Sequence, residues 1–282
     1  MSDRVKYLLI AFVWTYFFWI GAIVIAFFTH YDLDTSLITS QLLSLIGSGR
    51  EGIYIDILFA LGVFGPAIGY LFVSKNIKVK SKFELKNFLK WILVAIAIPF
   101  LMNVIPLVLT WGKSSLEFNQ LNMGFITTSV LTYLFFNFLT SGTEELGWRG
   151  FLFNDFAKSE KSFWDISWKT GLIWAIWHYP LMFYMYRDMN IAAILSLIFG
   201  FTMTIIGMAY ISNWLYYKSQ SKVILMFFHA LNNAWPYLFL IVFGANPFQL
   251  LSLALVWGGV FLIEKFDKSL SSFDKQVAQD LK

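Results

Sequence analysis

Residues 7–28 read YLLIAFVWTYFFWIGAIVIAFF, a run of 22 positions without one charged side chain. About 20 apolar residues in a helix cross the ~30 Å hydrocarbon layer of a bilayer. Lipid offers no partner for backbone N–H and C=O groups, so a crossing segment of this kind must satisfy them internally as a helix. The run is too long for the apolar region of a signal peptide and lacks a small-residue cleavage site. It reads as a retained transmembrane helix.

Seven further apolar stretches of similar type follow, near 53–74, 88–110, 123–143, 170–186, 191–215, 223–243 and 247–264. The fifth is short. The fourth is expected to continue as a less apolar helix toward Phe153. The predicted fold is therefore all-α and polytopic, with about eight transmembrane helices in one integral-membrane domain over 1–282. Hydrophobic residues make up 58% of the chain and charged residues 13%. A soluble domain is closer to one quarter charged, which leaves little room for a separate soluble unit. The 31 phenylalanines, 12 tryptophans and 13 tyrosines suit lipid-facing surfaces and interfacial belts.

The basic residues order these segments. Eighteen of the 21 Lys and Arg fall at the amino end, in alternate loops and in the tail. The opposite side keeps Arg50, Lys113 and Arg187. The positive-inside rule then predicts both termini in the cytoplasm. The net charge of +4 arises from these loops, so no nucleic-acid partner is implied. The loop 31–52 is expected to hold a short amphipathic helix around Leu37, Leu42 and Leu45. The basic stretch 75–90, with interleaved Phe83, Leu85, Phe88 and Leu89, is a topogenic loop or a contact for anionic lipid. With no cysteine, thiol nucleophiles, disulfides and thiolate metal sites are excluded.

Charged and polar groups inside the apolar segments carry the functional signal. A charged side chain in hydrocarbon costs about 2.5–3.5 kcal/mol on insertion scales, so such groups ordinarily face a polar interior. Ser141-Gly142-Thr143-Glu144-Glu145-Leu146-Gly147-Trp148-Arg149 ends the fourth stretch, and His178, His229 and Asn233 lie in later ones. Residues four apart share a helix face, so Arg149 can neutralise Glu145. Glu144 is rotated by about 100° and lacks such a local partner, which makes it the better general base. His229 and Asn233 also share a face and offer two N–H donors, as a developing oxyanion requires.

His178 lies about 13 Å along a helix from Lys169, and His229 and Asn233 about 10 and 16 Å from Lys222. Three segments thus deliver polar groups to one depth near the basic face. Singly, each has a bland reading: a solvated acid pair, a structural histidine, a helix-gluing His-Asn pair. Together they point to chemistry. Pro180 and Pro236 can free carbonyls nearby, and Gly142, Gly147 and Gly150 permit close helix approach. Other hydrolytic sites fit poorly. No His-Glu-x-x-His helix is present, and Gly47-Ser48-Gly49 lies in the outer loop.

Glu144-Glu145-x-x-x-Arg149, Trp174-Ala175-Ile176-Trp177-His178 and His229-x-x-x-Asn233, in that order, resemble the CPBP family. Its members are type II CAAX-prenyl-protease-like and bacteriocin-processing intramembrane proteases, relatives of the Rce1-type endopeptidases. The resemblance covers about 120–245, the expected protease core. It departs at Trp174, where the family usually has Phe.

The resemblance implies an intramembrane endopeptidase. Glu144 and His178 would activate a water, His229 and Asn233 would stabilise the oxyanion, and Glu145 and Arg149 would support the first motif. A metal-independent glutamate mechanism is slightly favoured. If zinc is used, Glu144, His178 and His229 are its candidate ligands. The expected partners are membrane lipid and peptide or membrane-protein substrates, in a bacterial cell membrane with the active site toward the cytoplasm. The alternative is a non-proteolytic membrane partner, such as a bacteriocin self-immunity or sensor-scaffold protein. A small transporter is disfavoured, because the two halves show no repeated helix breaks.

Overall fold

The computed structural model describes residues 1–31, 33, 52–74, 85–110, 123–160, 162–243 and 249–280. The expectations for Leu37, Leu42 and Leu45, for Gly47-Ser48-Gly49 and for the loop portion 75–84 lie outside the described residues. Among the described residues all regular structure is helical, as the apolar runs require. The helices are α1 (Asp3–Thr29), α2 (Ile53–Gly62), α3 (Gly65–Val73), α4 (Leu85–Thr110) and α5 (Met123–Leu139). They continue as α6 (Glu144–Gly147), α7 (Asn154–Phe156), α8 (Phe163–Trp177) and α9 (Tyr179–Met185). The last four are α10 (Ile191–Ser219), α11 (Lys222–Phe243), α12 (Gln249–Phe266) and α13 (Ser269–Asp280).

Among the described residues five helices are long and apolar enough to cross a membrane, or six if the bent pair α2–α3 is one span. The protein is thus an integral, multi-pass membrane protein. The remaining two stretches expected to cross, 170–186 and 247–264, are helical over most of their described residues but are not among these six.

Helix breaks in this fold have identifiable causes, and α1 satisfies the groups they release. Between α2 and α3 the axis bends by 43°. Pro66, in the first turn of α3, has no N–H, and its ring would meet the carbonyl four residues back. That carbonyl, of Gly62, accepts from Thr15 Oγ1 at 2.6 Å. Neighbouring carbonyls of Phe59 and Leu61 accept from the indoles of Trp19 (2.9 Å) and Trp14 (2.8 Å). The break between α8 and α9 follows the same rule. Pro180 cannot donate to Ile176, whose carbonyl accepts from Tyr16 Oη at 2.7 Å instead. Beside it, Trp177 Nε1 donates to Thr15 Oγ1 at 2.8 Å.

The fourth stretch does not continue as one α-helix past Leu139, as the sequence led us to expect. A 3-10 turn at Ser141–Thr143 is followed by α6 and then by a π-helical segment, Trp148–Phe153. Wider turns leave carbonyls imperfectly paired. Asn154 Nδ2 donates to those of Arg149 (2.9 Å) and Gly150 (3.2 Å). Gly147 lets α6 touch its neighbours. A Cβ there would lie 2.4 Å from Tyr7 Oη and 2.5 Å from the Pro66 carbonyl oxygen.

Ion pairs join segments assigned to the basic face. Arg4 Nε meets Asp155 Oδ2 at 2.6 Å, Lys218 Nζ meets Asp267 Oδ2 at 2.8 Å, and Lys169 pairs with Glu160.

Candidate active site

Helix α6 carries both acids, and both are buried. Glu145 pairs with Arg149 as their spacing predicts, with Nη1 at 2.9 and 3.0 Å from the two carboxylate oxygens. Arg149 is fully buried. Its Nε donates to Asn213 Oδ1 at 3.2 Å, and Asn213 Nδ2 donates to Ser167 Oγ at 3.2 Å. The guanidinium carbon also sits 4.7 Å over the ring of Trp174. A buried ion pair depends on such extra partners to offset desolvation.

Helix α11 supplies His229, whose Nδ1 lies 2.8 Å from Glu145 Oε1. A carboxylate oxygen accepts, so Nδ1 carries the proton and donates. Ser167, Asn213, Arg149, Glu145 and His229 therefore form one hydrogen-bonded chain from α8 through α10 and the π segment to α11.

Glu144 departs from the sequence reading, which gave it no local partner. Its Oε2 accepts from Trp148 Nε1 and from Trp174 Nε1, both at 3.1 Å. Trp148 is four residues on, so the helix spacing that gives Glu145 its arginine gives Glu144 an indole. An indole N–H is an obligate donor, so its burial beside a carboxylate satisfies both groups.

His178 caps α8. Its backbone N–H bonds to the carbonyl of Ala175 at 3.0 Å, a tightened last turn. The carbonyl of Trp174 is thereby available to the His178 ring and accepts from Nδ1 at 2.9 Å. A carbonyl can only accept, which fixes the proton on Nδ1 and leaves Nε2 with a lone pair.

Asn233 lies one turn beyond His229 on α11. Its Nδ2 donates to Asn137 Oδ1 at 2.9 Å. Asn137, buried in α5, in turn donates from Nδ2 to the Tyr133 carbonyl at 3.0 Å. The Asn233 amide carries a second N–H donor.

One side chain touches most of this assembly. The Trp174 indole bonds Glu144, lies under Arg149 and meets the rings of His178 and His229 with centroids 5.9 and 5.4 Å away. Glu144, Glu145, Arg149, His178 and His229 are thus gathered around Trp174, with Asn233 on the side toward α5.

Residues absent from the sequence reading are Asn137, Asn213 and Ser167. Asn137 was within reach of it, because an amide inside the apolar run Leu-Phe-Phe-Asn-Phe-Leu is the same signal that marked Asn233. Asp56, by contrast, is buried in α2 and accepts from Tyr31 Oη, so it is a structural partner.

The proposed zinc set of Glu144, His178 and His229 does not fit this geometry. Among the described residues no group of three or more His, Asp or Glu side chains is arranged to hold a metal ion.

Comparison with known proteins agrees with the motifs. Residues 126–235 match the family model described as type II CAAX prenyl endopeptidase Rce1-like. The chain is 28% identical over 276 residues to CAAX prenyl protease 2 of Methanococcus maripaludis, covering 92% of this chain and 93% of that one. The resemblance stated from the three motifs therefore holds on both comparisons. It supports a membrane endopeptidase.

Proposed function

We propose that this chain, which carries an Rce1-like region within a multi-pass membrane fold, hydrolyses peptide bonds with a water activated by Glu144 and His178. The observation that carries the reading is the gathering of Glu144, His178 and His229 from separate segments around a single buried indole, with Glu145 bonded to His229.

The chemistry follows from which atoms remain available. Both indole donors fall on Glu144 Oε2, so Oε1 faces the water as a base. His178 Nε2, with its lone pair, accepts the second water hydrogen and aims the oxygen. The water oxygen bonds to the scissile carbonyl carbon while its proton passes to Glu144. Charge moves to the carbonyl oxygen. His229, with Nδ1 engaged on Glu145, offers an N–H from Nε2 as an imidazolium, a form the neighbouring carboxylate stabilises. The remaining N–H of Asn233 gives the second donor to the oxyanion. The carbon–nitrogen bond then breaks, and Glu144 returns the proton to the departing amine.

The site opens toward the cytoplasmic face of the cell membrane, where the basic loops lie. Its substrates are peptides or membrane proteins. The activity named for the methanogen relative makes a prenylated CAAX tail the first probe to try. Purified chain is offered that prenylated peptide, its unprenylated counterpart and a proteome-derived peptide library, with products read by mass spectrometry. Cleavage lost in both Glu144→Gln and His178→Ala supports the reading. Undiminished cleavage by Glu144→Gln ends it.

A further inference from the structure

We propose that Trp174 is the positioning residue for the water-activating pair, its indole N–H orienting Glu144 and its backbone carbonyl orienting His178. The inference rests on the function proposed above and extends it to a residue whose departure from the family pattern otherwise looks incidental.

Two observations on one residue carry it. From the side chain, Nε1 donates to Glu144 Oε2 at 3.1 Å. From the main chain, the carbonyl oxygen accepts from His178 Nδ1 at 2.9 Å. The second bond exists because α8 ends in a tightened turn. His178 N bonds to Ala175 rather than to Trp174, which releases the Trp174 carbonyl. The water-facing atoms, Glu144 Oε1 and His178 Nε2, are thus fixed from a single rigid ring and its own peptide unit. Trp148 supplies the second indole on the same carboxylate oxygen, also at 3.1 Å, from the π segment. Two donors converging on Oε2 leave Oε1 without either of them, so the carboxylate has a held end and a working end. Such preorganisation acts through geometry, because an angstrom of misplacement at the reacting atoms costs rate steeply.

Phe at this position separates the two jobs of the ring. It keeps the apolar contact with Arg149, His178 and His229 and removes only the N–H. The family pattern uses Phe here, so the fold accommodates it.

The test uses full-length chain in lipid nanodiscs and a quenched fluorescent peptide ending in a prenylated Cys-aliphatic-aliphatic-X tail. Trp174→Phe is expected to lower kcat about tenfold with KM unchanged, the effect of one hydrogen bond to a charged group. Trp148→Phe should act similarly from another element, and, because both indoles share one carboxylate oxygen, the double variant should lose more than either single change without the two losses simply multiplying. A residue that merely fills space would lower yield and thermal stability without this split. Wild-type kcat in Trp174→Phe, or a change confined to KM, overturns the proposal.

Indole N–H resonances of ¹⁵N-tryptophan-labelled protein give a readout independent of turnover. The two signals that vanish in Trp148→Phe and Trp174→Phe should both move in Glu144→Gln. If they stay in place the proposal fails, whether or not this peptide is a substrate. Failure of the underlying function looks different: Glu144→Gln would then still cleave. An inactive Glu144→Gln beside fully active tryptophan variants sinks the role of Trp174 alone.

Discussion

Removing the Arg149 guanidinium while keeping its bulk, as in Arg149→Met, separates what this ion pair does for folding from what it does for activity. Arg149 is fully buried, and its side chain and that of Glu145 are 0% and 2% exposed. Without the guanidinium, the Glu145 carboxylate loses two contacts of 2.9 and 3.0 Å and keeps His229 Nδ1 at 2.8 Å. Breaking a buried pair by removing one partner costs about 3–5 kcal/mol, and the surviving histidine places this case near 3. Asn213 Oδ1 also loses its donor, a further ~1 kcal/mol. A total of about 4 kcal/mol corresponds to roughly a thousandfold change in the folded-to-unfolded ratio.

The double variant Glu145→Gln/Arg149→Met removes both charges, and replacing a buried pair outright is often nearly neutral. Most of the lost stability should return, so the two changes will be strongly non-additive. Activity should not return, because His229 has then lost the carboxylate that supports its charged form. Equilibrium unfolding in a detergent–denaturant series, run beside peptide cleavage on the same preparations, measures both. A double variant whose destabilisation equals the sum of the singles would refute the pairing, and one that recovers full turnover would refute the role given to Glu145.

Gly147→Ala should destabilise the protein by about 1–3 kcal/mol, the usual range for an inserted methyl, because its Cβ would sit 2.4 Å from Tyr7 Oη and 2.5 Å from the Pro66 carbonyl. Adding Tyr7→Phe removes the first clash and leaves the second, so partial recovery is expected in thermal melts, and no recovery would contradict the contact. Asp267 is partly desolvated, which raises its pKa, yet donors from Lys218, Ser269 and Trp214 outweigh this and hold the carboxyl well below the ordinary carboxylate range. A lowered folded-state pKa stabilises the protein above the unfolded value, near pH 4, and that stability is lost as pH falls through the folded value. The stability gap between wild type and Asp267→Asn should therefore be constant at neutral pH and close only in acid, and a gap that widens on acidification would argue against it.

The helical fold was legible because lipid permits so few alternatives, and the run at 7–28 needed no further context. The Glu145–Arg149 pair was legible because four-residue spacing on a helix is a local property. That His178 and His229 come together beside Glu144 accords with their similar distances to flanking lysines.

What escaped the sequence depends on which distant helix approaches which face. Trp148 and Trp174 stood in the sequence as aromatic members of the motif stretches, and nothing in their spacing says that both N–H groups meet one oxygen of Glu144. Asn213 and Ser167 lie on helices whose juxtaposition the chain order does not reveal. The π segment at Trp148–Phe153 is likewise silent in a pattern read at 3.6 residues per turn. The helix break at His178 was signalled by Pro180, but its use, the freeing of the Trp174 carbonyl to a ring nitrogen, required coordinates.

The contacts made by the amino-terminal helix have a consequence for any attempt to cut this protein down. Tyr7 closes over Gly147, Thr15 receives the Trp177 indole, Tyr16 satisfies the Ile176 carbonyl, and Arg4 holds Asp155. The motif-bearing stretch is therefore not a portable catalytic cassette. Its walls are lent by residues more than a hundred positions upstream, and a minimal working fragment must retain them.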